Sequence, residues 1–359
     1  MQRSVLTYIE GYDPGIFPQD AEERYGIAGG EVTNLASNEN PYPPPASVIE
    51  AIESSIGQVN RYPDPGYREL KGELSGYTGL PPENIAVGNG STEILDMVCK
   101  VFIDPFDRIS IMSPSYTMYA LMGMIRESTI EFVETRENGY RINVDFLMKR
   151  ARDSKMIFLC SPNNPTGMVL GEGQLEEVLG KAGGMVLLDE AYAEFAGTSA
   201  IDLVADHPNL VVTRSMSKFF SLAGLRVGYC VAGSDIVESL EKVRQPFSIS
   251  TIGEAAATAA LREVPYYEKN GKRLLSERER LLEKISEMPG LDPYPSRANF
   301  LMVRVDPGLG DIVESLMSMG VLVRDLRGLS GLEGPHIRIT VGTPGENKIL
   351  LSSLKDAIS

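Results

Sequence analysis

Residues 185–192, MVLLDEAY, combine a buried strand with an acidic strand end. Met185–Leu188 is apolar throughout, as is Met156–Cys160 further upstream. A strand with two apolar faces is typical of a parallel sheet that helices cover on both sides. Asp189 follows directly, and a carboxylate at the end of a buried strand is costly unless it meets a cation. Capping of a following helix is the alternative interpretation of Asp189. The stretch therefore predicts an α/β fold with polar chemistry at a strand end.

Apolar, β-branched runs recur on both sides of this stretch and alternate with helix-like segments. Together the predicted strands are Ile85–Val87, Ile109–Met112, Thr129–Val133, Met156–Cys160, Met185–Leu188, Leu210–Thr213 and Val227–Val231. Strands that alternate with helices predict an α/β domain whose sheet is mostly parallel. We therefore expect a large domain built on a seven-stranded sheet.

The sequence pattern divides the chain into three parts. Residues 1–45 are rich in Pro, Gly and Tyr and predict an extended N-terminal arm. Residues 46–255 contain the predicted strands of the large domain. Residues 256–359 begin with a long charged helix around Tyr266–Glu287 and continue with alternating strands and helices. This last part predicts a smaller α+β domain, with strands at Asn299–Val305, Val321–Arg324 and Ile337–Val341.

The composition excludes several classes of function. Lys and Arg number 34 and Asp and Glu 49, for a net charge of −15, which disfavours binding to nucleic acid. His207 and His336 are the only histidines and the three cysteines are scattered, so we predict neither a metal site nor a disulfide framework. The N-terminus lacks an apolar signal segment, and no run of about 18 apolar residues occurs. We expect a cytoplasmic protein without a membrane contact.

Polar motifs follow four of the predicted strands, and ligands of parallel α/β sheets bind at the carboxyl ends of strands. Gly88–Glu93 places Ser91 and Thr92 at the start of a helix, which suits either a phosphate group or a simple N-capped turn. Asn164 lies in an Asn-Pro-Thr-Gly turn after Met156–Cys160, and Tyr192 is the last residue of the stretch 185–192. These side chains are expected to meet at one edge of the sheet.

The fourth motif, Arg214–Arg226, contains a lysine in apolar surroundings. Phe219 and Phe220 follow Lys218 directly. An apolar setting destabilises the ammonium form, lowers its pKa and frees the amine for Schiff-base chemistry, whereas a solvated lysine would keep its charge. A reactive lysine, a buried acid and a phosphate site are together what pyridoxal phosphate requires. The four motifs therefore predict a pyridoxal-phosphate site.

On these motifs the chain resembles the histidinol-phosphate aminotransferase family, which belongs to the fold-type-I pyridoxal-phosphate enzymes of the aspartate aminotransferase superfamily. The resemblance runs from about Leu35 to the C-terminus. It rests on Leu35–Tyr42, Asn60–Asp64, Asp189–Tyr192, Leu222–Arg226, Val323–Leu326 and Ile337–Thr343. It implies a homodimer with its active site at the subunit interface. The implied reaction is L-histidinol phosphate plus 2-oxoglutarate giving imidazole-acetol phosphate plus L-glutamate, in histidine biosynthesis.

The resemblance also implies a role for each site residue. Lys218 would form the Schiff base with the cofactor and move the substrate proton. Asp189 would hold the pyridine nitrogen protonated, while Tyr192 and Asn164 would bind the phenolic oxygen and Tyr116 would stack on the ring. The implied phosphate ligands are Ser91, Thr92, Ser215, Ser217, Arg226 and, from the partner subunit, Tyr62.

Substrate recognition is implied for an arginine pair, with Asn164 beside it. Arg324 and Arg338 would bind the phosphate of histidinol phosphate and the carboxylates of glutamate, because guanidinium groups accept both anions as bidentate ligands. The N-terminal arm would cover the substrate through either Tyr12 or Tyr25.

Three alternative functions stay open at this point. An aromatic-amino-acid aminotransferase would use the same scaffold. A pyridoxal-phosphate lyase similar to threonine-phosphate decarboxylase has segments that resemble Tyr62–Leu70. A pyridoxal-phosphate module of a transcription regulator fits poorly, because the chain is acidic and no DNA-binding domain precedes residue 35.

Overall fold

The computed structural model describes residues 2–136 and 139–359, which fold around two β-sheets. The strands are β1 Thr33–Leu35, β2 Ile85–Asn89, β3 Arg108–Ser113, β4 Thr129–Glu134, β5 Met156–Cys160, β6 Met185–Asp189, β7 Leu210–Ser215, β8 Val227–Ala232, β9 Leu291–Pro293, β10 Phe300–Val305, β11 Val321–Asp325 and β12 His336–Thr340. The helices are α1 Pro18–Tyr25, α2 Ala46–Ile56, α3 Arg68–Thr78, α4 Gly90–Phe102, α5 Thr117–Ile125, α6 Val144–Ala151, α7 Gln174–Lys181, α8 Ala193–Ala196, α9 Ser234–Val243, α10 Thr251–Leu261, α11 Val264–Ser286, α12 Ile312–Ser318 and α13 Pro344–Ala357.

The large sheet has the seven strands and the mostly parallel arrangement that the sequence predicts. Its spatial order is β2-β8-β7-β6-β5-β3-β4. Only β8 runs antiparallel to its neighbours, β2 and β7. The register places Cys160 opposite Asp189 and Asp189 opposite Thr213. Three strand ends that carry polar motifs therefore lie side by side.

Both faces of the large sheet are buried, as its apolar strands predict. Successive residues of one strand belong to different hydrophobic cores: Leu187 packs in one core and Leu188 in the other, and Phe158 and Leu159 divide in the same way. Side chains of a strand alternate between its two faces, so a strand covered on both sides must be apolar at every position. The uninterrupted apolar runs follow from this arrangement.

The small sheet has the order β1-β11-β12-β10-β9 and combines remote parts of the chain. β1, from the segment expected to be an extended arm, pairs parallel to β11, and the other strands pair antiparallel. β1 and β9 have only three residues each, which is too short for a periodic pattern in the sequence. These two strands were therefore not among the predicted elements.

No helix in the described ranges, 2–136 and 139–359, is long and apolar enough to cross a bilayer.

A buried ion network joins the end of β7 to the chain that follows β6. The Arg214 guanidinium donates to Glu190 at 2.8 Å and to Glu194 at 2.7 Å, and its second terminal nitrogen donates to Ser199 Oγ at 2.7 Å. All three ionised side chains are almost completely buried. The network fixes the chain that follows Asp189 and the residue that precedes Ser215.

We expect Arg214→Leu to lower the free energy of unfolding by about 3–5 kcal/mol, because the substitution leaves two buried carboxylates without their cation. Urea denaturation measures the change. Arg262→Leu is the matched control, since Arg262 pairs with Glu69 and Glu73 at the surface and should contribute only about 0–1 kcal/mol. Equal losses in the two variants would contradict a structural role for the buried network.

Candidate active site

One cavity lies where the carboxyl ends of the large-sheet strands face the small sheet. All the predicted cofactor and substrate residues except Tyr62 line it: Ser91, Thr92, Tyr116, Asn164, Asp189, Tyr192, Ser215, Ser217, Lys218, Arg226, Arg324 and Arg338. Tyr12, Ala36, Ser37, Asn38, Tyr119 and Cys160 also contribute to the wall. The strand ends and the small sheet thus bring together residues that are far apart in sequence.

Hydroxyl groups, helix amides and a guanidinium converge at one end of the cavity. Gly90 begins α4 with a φ of +75°, and a Cβ there would lie 2.5 Å from Arg226 Nη2, so the turn requires glycine. Arg226 Nη1 donates to Ser217 Oγ at 3.3 Å. The first amides of α4, at Ser91 and Thr92, have no acceptor within the helix. This donor set fits a phosphate group.

Asp189 is buried at the end of β6, and its donors are neutral. Tyr119 donates its hydroxyl to Oδ2 at 2.7 Å, and the Ala191 amide donates to Oδ1 at 3.0 Å. Burial raises the pKa of Asp189, while the Tyr119 hydrogen bond opposes that shift. A protonated pyridine nitrogen would supply the cation that this carboxylate favours. Tyr119 was not predicted, because nothing in the sequence shows which strand end its helix approaches.

Lys218 reaches into the same cavity from the turn after β7. Its Nζ donates to the Ser37 carbonyl at 2.8 Å. Burial, aided by the positive charges of Arg338 and Arg226, lowers the pKa of Lys218 to about 8. The amine can therefore lose its proton far more readily than a solvated lysine, as the apolar surroundings in the sequence predict.

On the remaining wall, one asparagine holds the tyrosine and another holds the arginine. Asn38 Nδ2 donates to the Tyr192 hydroxyl at 3.0 Å. Arg338 Nη1 donates to Asn164 Oδ1 at 2.7 Å, and its Nη2 donates to the Ala36 carbonyl at 2.7 Å. Arg338 Nε is buried without a partner among the described residues, so the guanidinium retains a free donor. Asn38 lies within a motif that the sequence analysis quotes, but its contact with Tyr192 could not be read from that motif.

The two substrate arginines lie side by side on neighbouring strands. Arg324 on β11 is the direct cross-strand partner of Arg338 on β12. Directly opposed residues of an antiparallel pair share one face, and like charges there are destabilising. An anion bound between the two guanidinium groups would relieve the repulsion.

The structure distinguishes between the two arm tyrosines. Tyr12 lines the cavity and meets the Tyr116 ring edge-on, with 6.3 Å between centroids. Tyr25 lies elsewhere and hydrogen-bonds to Glu314. Burial raises the pKa of Tyr116 to about 12, so its phenol stays neutral. Tyr12 is therefore the arm tyrosine that can cover a substrate.

Tyr62 lies outside the cavity of its own chain. It stacks on Phe247 with 4.3 Å between ring centroids and is 78% exposed. The contact of Tyr62 with the phosphate site of a partner subunit therefore stays a prediction.

The residues that line the cavity match an organic cofactor. In the described part of the chain, no group of three or more His, Cys, Asp or Glu residues is arranged to hold a metal ion. The lysine, the buried acid and the phosphate-binding donors instead match the three reactive parts of pyridoxal phosphate.

Known proteins are similar to this chain in both sequence and fold. A model of the family described as aminotransferase class I and II matches residues 30–354. Histidinol-phosphate aminotransferase 2 of Archaeoglobus fulgidus is 45% identical over 99% of each chain. Histidinol-phosphate aminotransferase of Thermoanaerobacter pseudethanolicus is 39% identical over 94% of this chain and 98% of its own. The crystal structure of histidinol-phosphate aminotransferase from Sinorhizobium meliloti, in complex with pyridoxal-5'-phosphate, has a TM-score of 0.88 at 25% identity and covers 99% of this chain and 96% of its own.

The lowered pKa of Lys218 predicts how cofactor capture depends on pH. Only the neutral amine attacks an aldehyde, so the capture rate of cofactor-free protein should rise with pH, reach half its maximum near pH 8 and level off above it. The visible absorbance of the lysine-bound cofactor follows the reaction. Lys218→Ala should fold and give no such band, whereas the exposed Lys242→Ala should behave as wild type. A midpoint near that of free lysine would refute the assignment.

The Tyr119 hydrogen bond predicts a graded series of variants. Asp189→Asn should lower kcat by orders of magnitude, since the ring nitrogen loses its carboxylate partner. Tyr119→Phe should lower kcat by roughly ten- to hundredfold, the value of one hydrogen bond to a charged group. The control is Tyr267→Phe, whose buried hydroxyl has no partner within the described residues. Wild-type turnover in Tyr119→Phe would show that Asp189 is oriented without it.

Proposed function

This chain belongs to the aminotransferase class I and II family, as its motifs predicted, and we propose that it is a histidinol-phosphate aminotransferase that uses pyridoxal phosphate. The proposed reaction moves the amino group of L-histidinol phosphate to 2-oxoglutarate, giving imidazole-acetol phosphate and L-glutamate. The relatives that are 45% and 39% identical carry this name, and their similarity extends over nearly the full chain.

The arginine pair is the observation that supports the proposed substrate. Histidinol phosphate has no α-carboxylate, so its recognition requires a site for a phosphate dianion near the amino group. Arg324 and Arg338 face each other across β11 and β12 and share the cavity with Lys218. Glutamate presents carboxylates to the same guanidinium groups, so one pair can serve both substrates.

The side chains of this protein divide the chemistry among themselves. When bound, pyridoxal phosphate supplies an aldehyde for the amino group and a ring that withdraws electrons from the substrate Cα. Asp189 keeps the ring nitrogen protonated and so favours loss of the Cα proton. The Lys218 amine would accept the proton from the substrate Cα and deliver it to C4′ of the bound cofactor. Tyr192 and Asn164 hold the phenolic oxygen and fix the plane of the ring.

We also infer that two copies of the chain associate. Apolar side chains on and after α2 are exposed: Ile49 40%, Ile56 53%, Val59 62% and Tyr62 78%. Burial of these side chains against a second copy would remove them from water and would let Tyr62 approach the phosphate site of the partner. The association would complete the set of phosphate ligands.

The half-reaction tests the proposed function. Addition of L-histidinol phosphate to the cofactor-loaded enzyme, without a 2-oxo acid, should convert the visible band of the lysine-bound cofactor into the ultraviolet band of the aminated cofactor. Addition of 2-oxoglutarate should reverse the change. L-phenylalanine is the matched donor, because it has an aromatic side chain and no phosphate.

The outcomes separate the alternatives. Conversion by phenylalanine and not by histidinol phosphate would indicate an aromatic-amino-acid aminotransferase. Release of carbon dioxide from threonine phosphate without a 2-oxo acid would indicate a lyase. Arg338→Gln should weaken the response to histidinol phosphate, since it removes a ligand of the phosphate dianion.

A further inference from the structure

The two substrate arginines have different partners in the substrate-free chain. The terminal nitrogens of Arg338 donate to the neutral oxygens of Asn164 and Ala36, both at 2.7 Å. Arg324 Nη2 instead donates to the N-terminal arm, to the Asp13 carbonyl at 2.7 Å and to the Asp13 carboxylate at 3.1 Å. Asp13 thus supplies a negative charge where two opposed guanidinium groups would bind an anion.

The local turn holds this carboxylate in place. The Gly15 amide donates to Asp13 Oδ1 at 2.8 Å, which leaves Oδ2 to face Arg324. Gly15 has a φ of +83°, and a Cβ there would lie 2.1 Å from Arg324 Nη1. Only glycine lets the arm approach the guanidinium this closely. The Asp-Pro-Gly turn therefore packs directly against Arg324.

An anionic substrate can replace Asp13 in its ion pair with Arg324. The Arg324 side chain is 17% exposed, whereas that of Asp13 is 78% exposed. An ion pair with one partner in water is weak, and a bidentate dianion that contacts both arginines binds more strongly than a single carboxylate. Substrate can therefore displace the Asp13 carboxylate at small cost.

We propose that Asp13 is an internal competitor for the substrate-anion site: its carboxylate occupies Arg324 until an anionic substrate replaces it, and so it sets the affinity for that anion. The inference rests on the proposed function, because it takes Arg324 as a ligand of the substrate anion. It adds that the N-terminal arm carries a charged group that acts against binding, besides Tyr12, which covers the cavity.

Calorimetric titration of the cofactor-loaded enzyme with inorganic phosphate tests the proposal. The phosphate of the cofactor fills its own site, so added phosphate reports on the arginine pair. Asp13→Asn removes the charge but keeps the backbone contact and an acceptor for the Gly15 amide. It should lower the Kd for phosphate about two- to fivefold, the range expected for an exposed ion pair.

The matched control is Glu10→Gln, which removes the same charge from the same arm without removing a contact to Arg324. Its Kd should stay at the wild-type value. An equal gain in Glu10→Gln would mean that only the general negative field is involved and would overturn the proposal. An unchanged or raised Kd in Asp13→Asn, or no phosphate binding in any of these proteins, would overturn it as well.

A double variant separates the direct contact from indirect effects. In an Arg324→Gln background, Asp13→Asn should leave the phosphate Kd unchanged, because the competing pair no longer exists. A gain that persists in this background would refute the competition. Failure of the proposed substrate would be seen separately: the enzyme would then not respond to histidinol phosphate, while Asp13→Asn would still tighten phosphate binding.

Discussion

The carboxylate of Asp189, buried at the end of β6 and bound only by neutral donors, is the constraint on which the rest of the site depends. Burial of an ionised carboxylate costs free energy unless a cation lies next to it, and a protonated pyridine ring would supply that cation. The parallel register then places the end of β5 and the turn after β7 on either side of it, so Asn164 and Lys218 line the same cavity as Asp189. The buried guanidinium of Arg214 fixes the same strand ends through ion pairs with Glu190 and Glu194.

Electrostatics explain how a chain with a net charge of −15 can bind anionic ligands. Positive groups are concentrated in one cavity, which Arg226, Arg324 and Arg338 line together. Burial, with the positive charges of Arg338 and Arg226, lowers the pKa of Lys218 and so prepares the amine for its reaction. Arg226 and Arg338 can therefore serve both anion binding and the reactivity of Lys218.

The N-terminal segment connects the two sheets at the site. Asn38 donates its backbone amide to Thr340 on β12 and its side chain to Tyr192, which follows β6. β1 pairs with β11 just before this residue, and the arm ahead of it places Tyr12 and Asp13 at the cavity. The N-terminal segment therefore contacts residues of both sheets at the edge of the cavity.

The sequence by itself determined the seven-stranded sheet, because strands buried on both faces must be apolar at every position. It also determined the chemistry of the strand ends, where Lys218, Asp189 and the Ser91–Thr92 turn follow their strands within a few residues. Only the tertiary structure decided that Arg324 opposes Arg338, that Tyr119 binds Asp189, that Asn38 binds Tyr192 and that Asp13 pairs with Arg324. Periodicity and turn chemistry act over neighbouring residues, whereas Arg324 and Arg338 lie on different strands and the other three contacts join residues 70 to 311 apart, so their meeting depends on strand order and register.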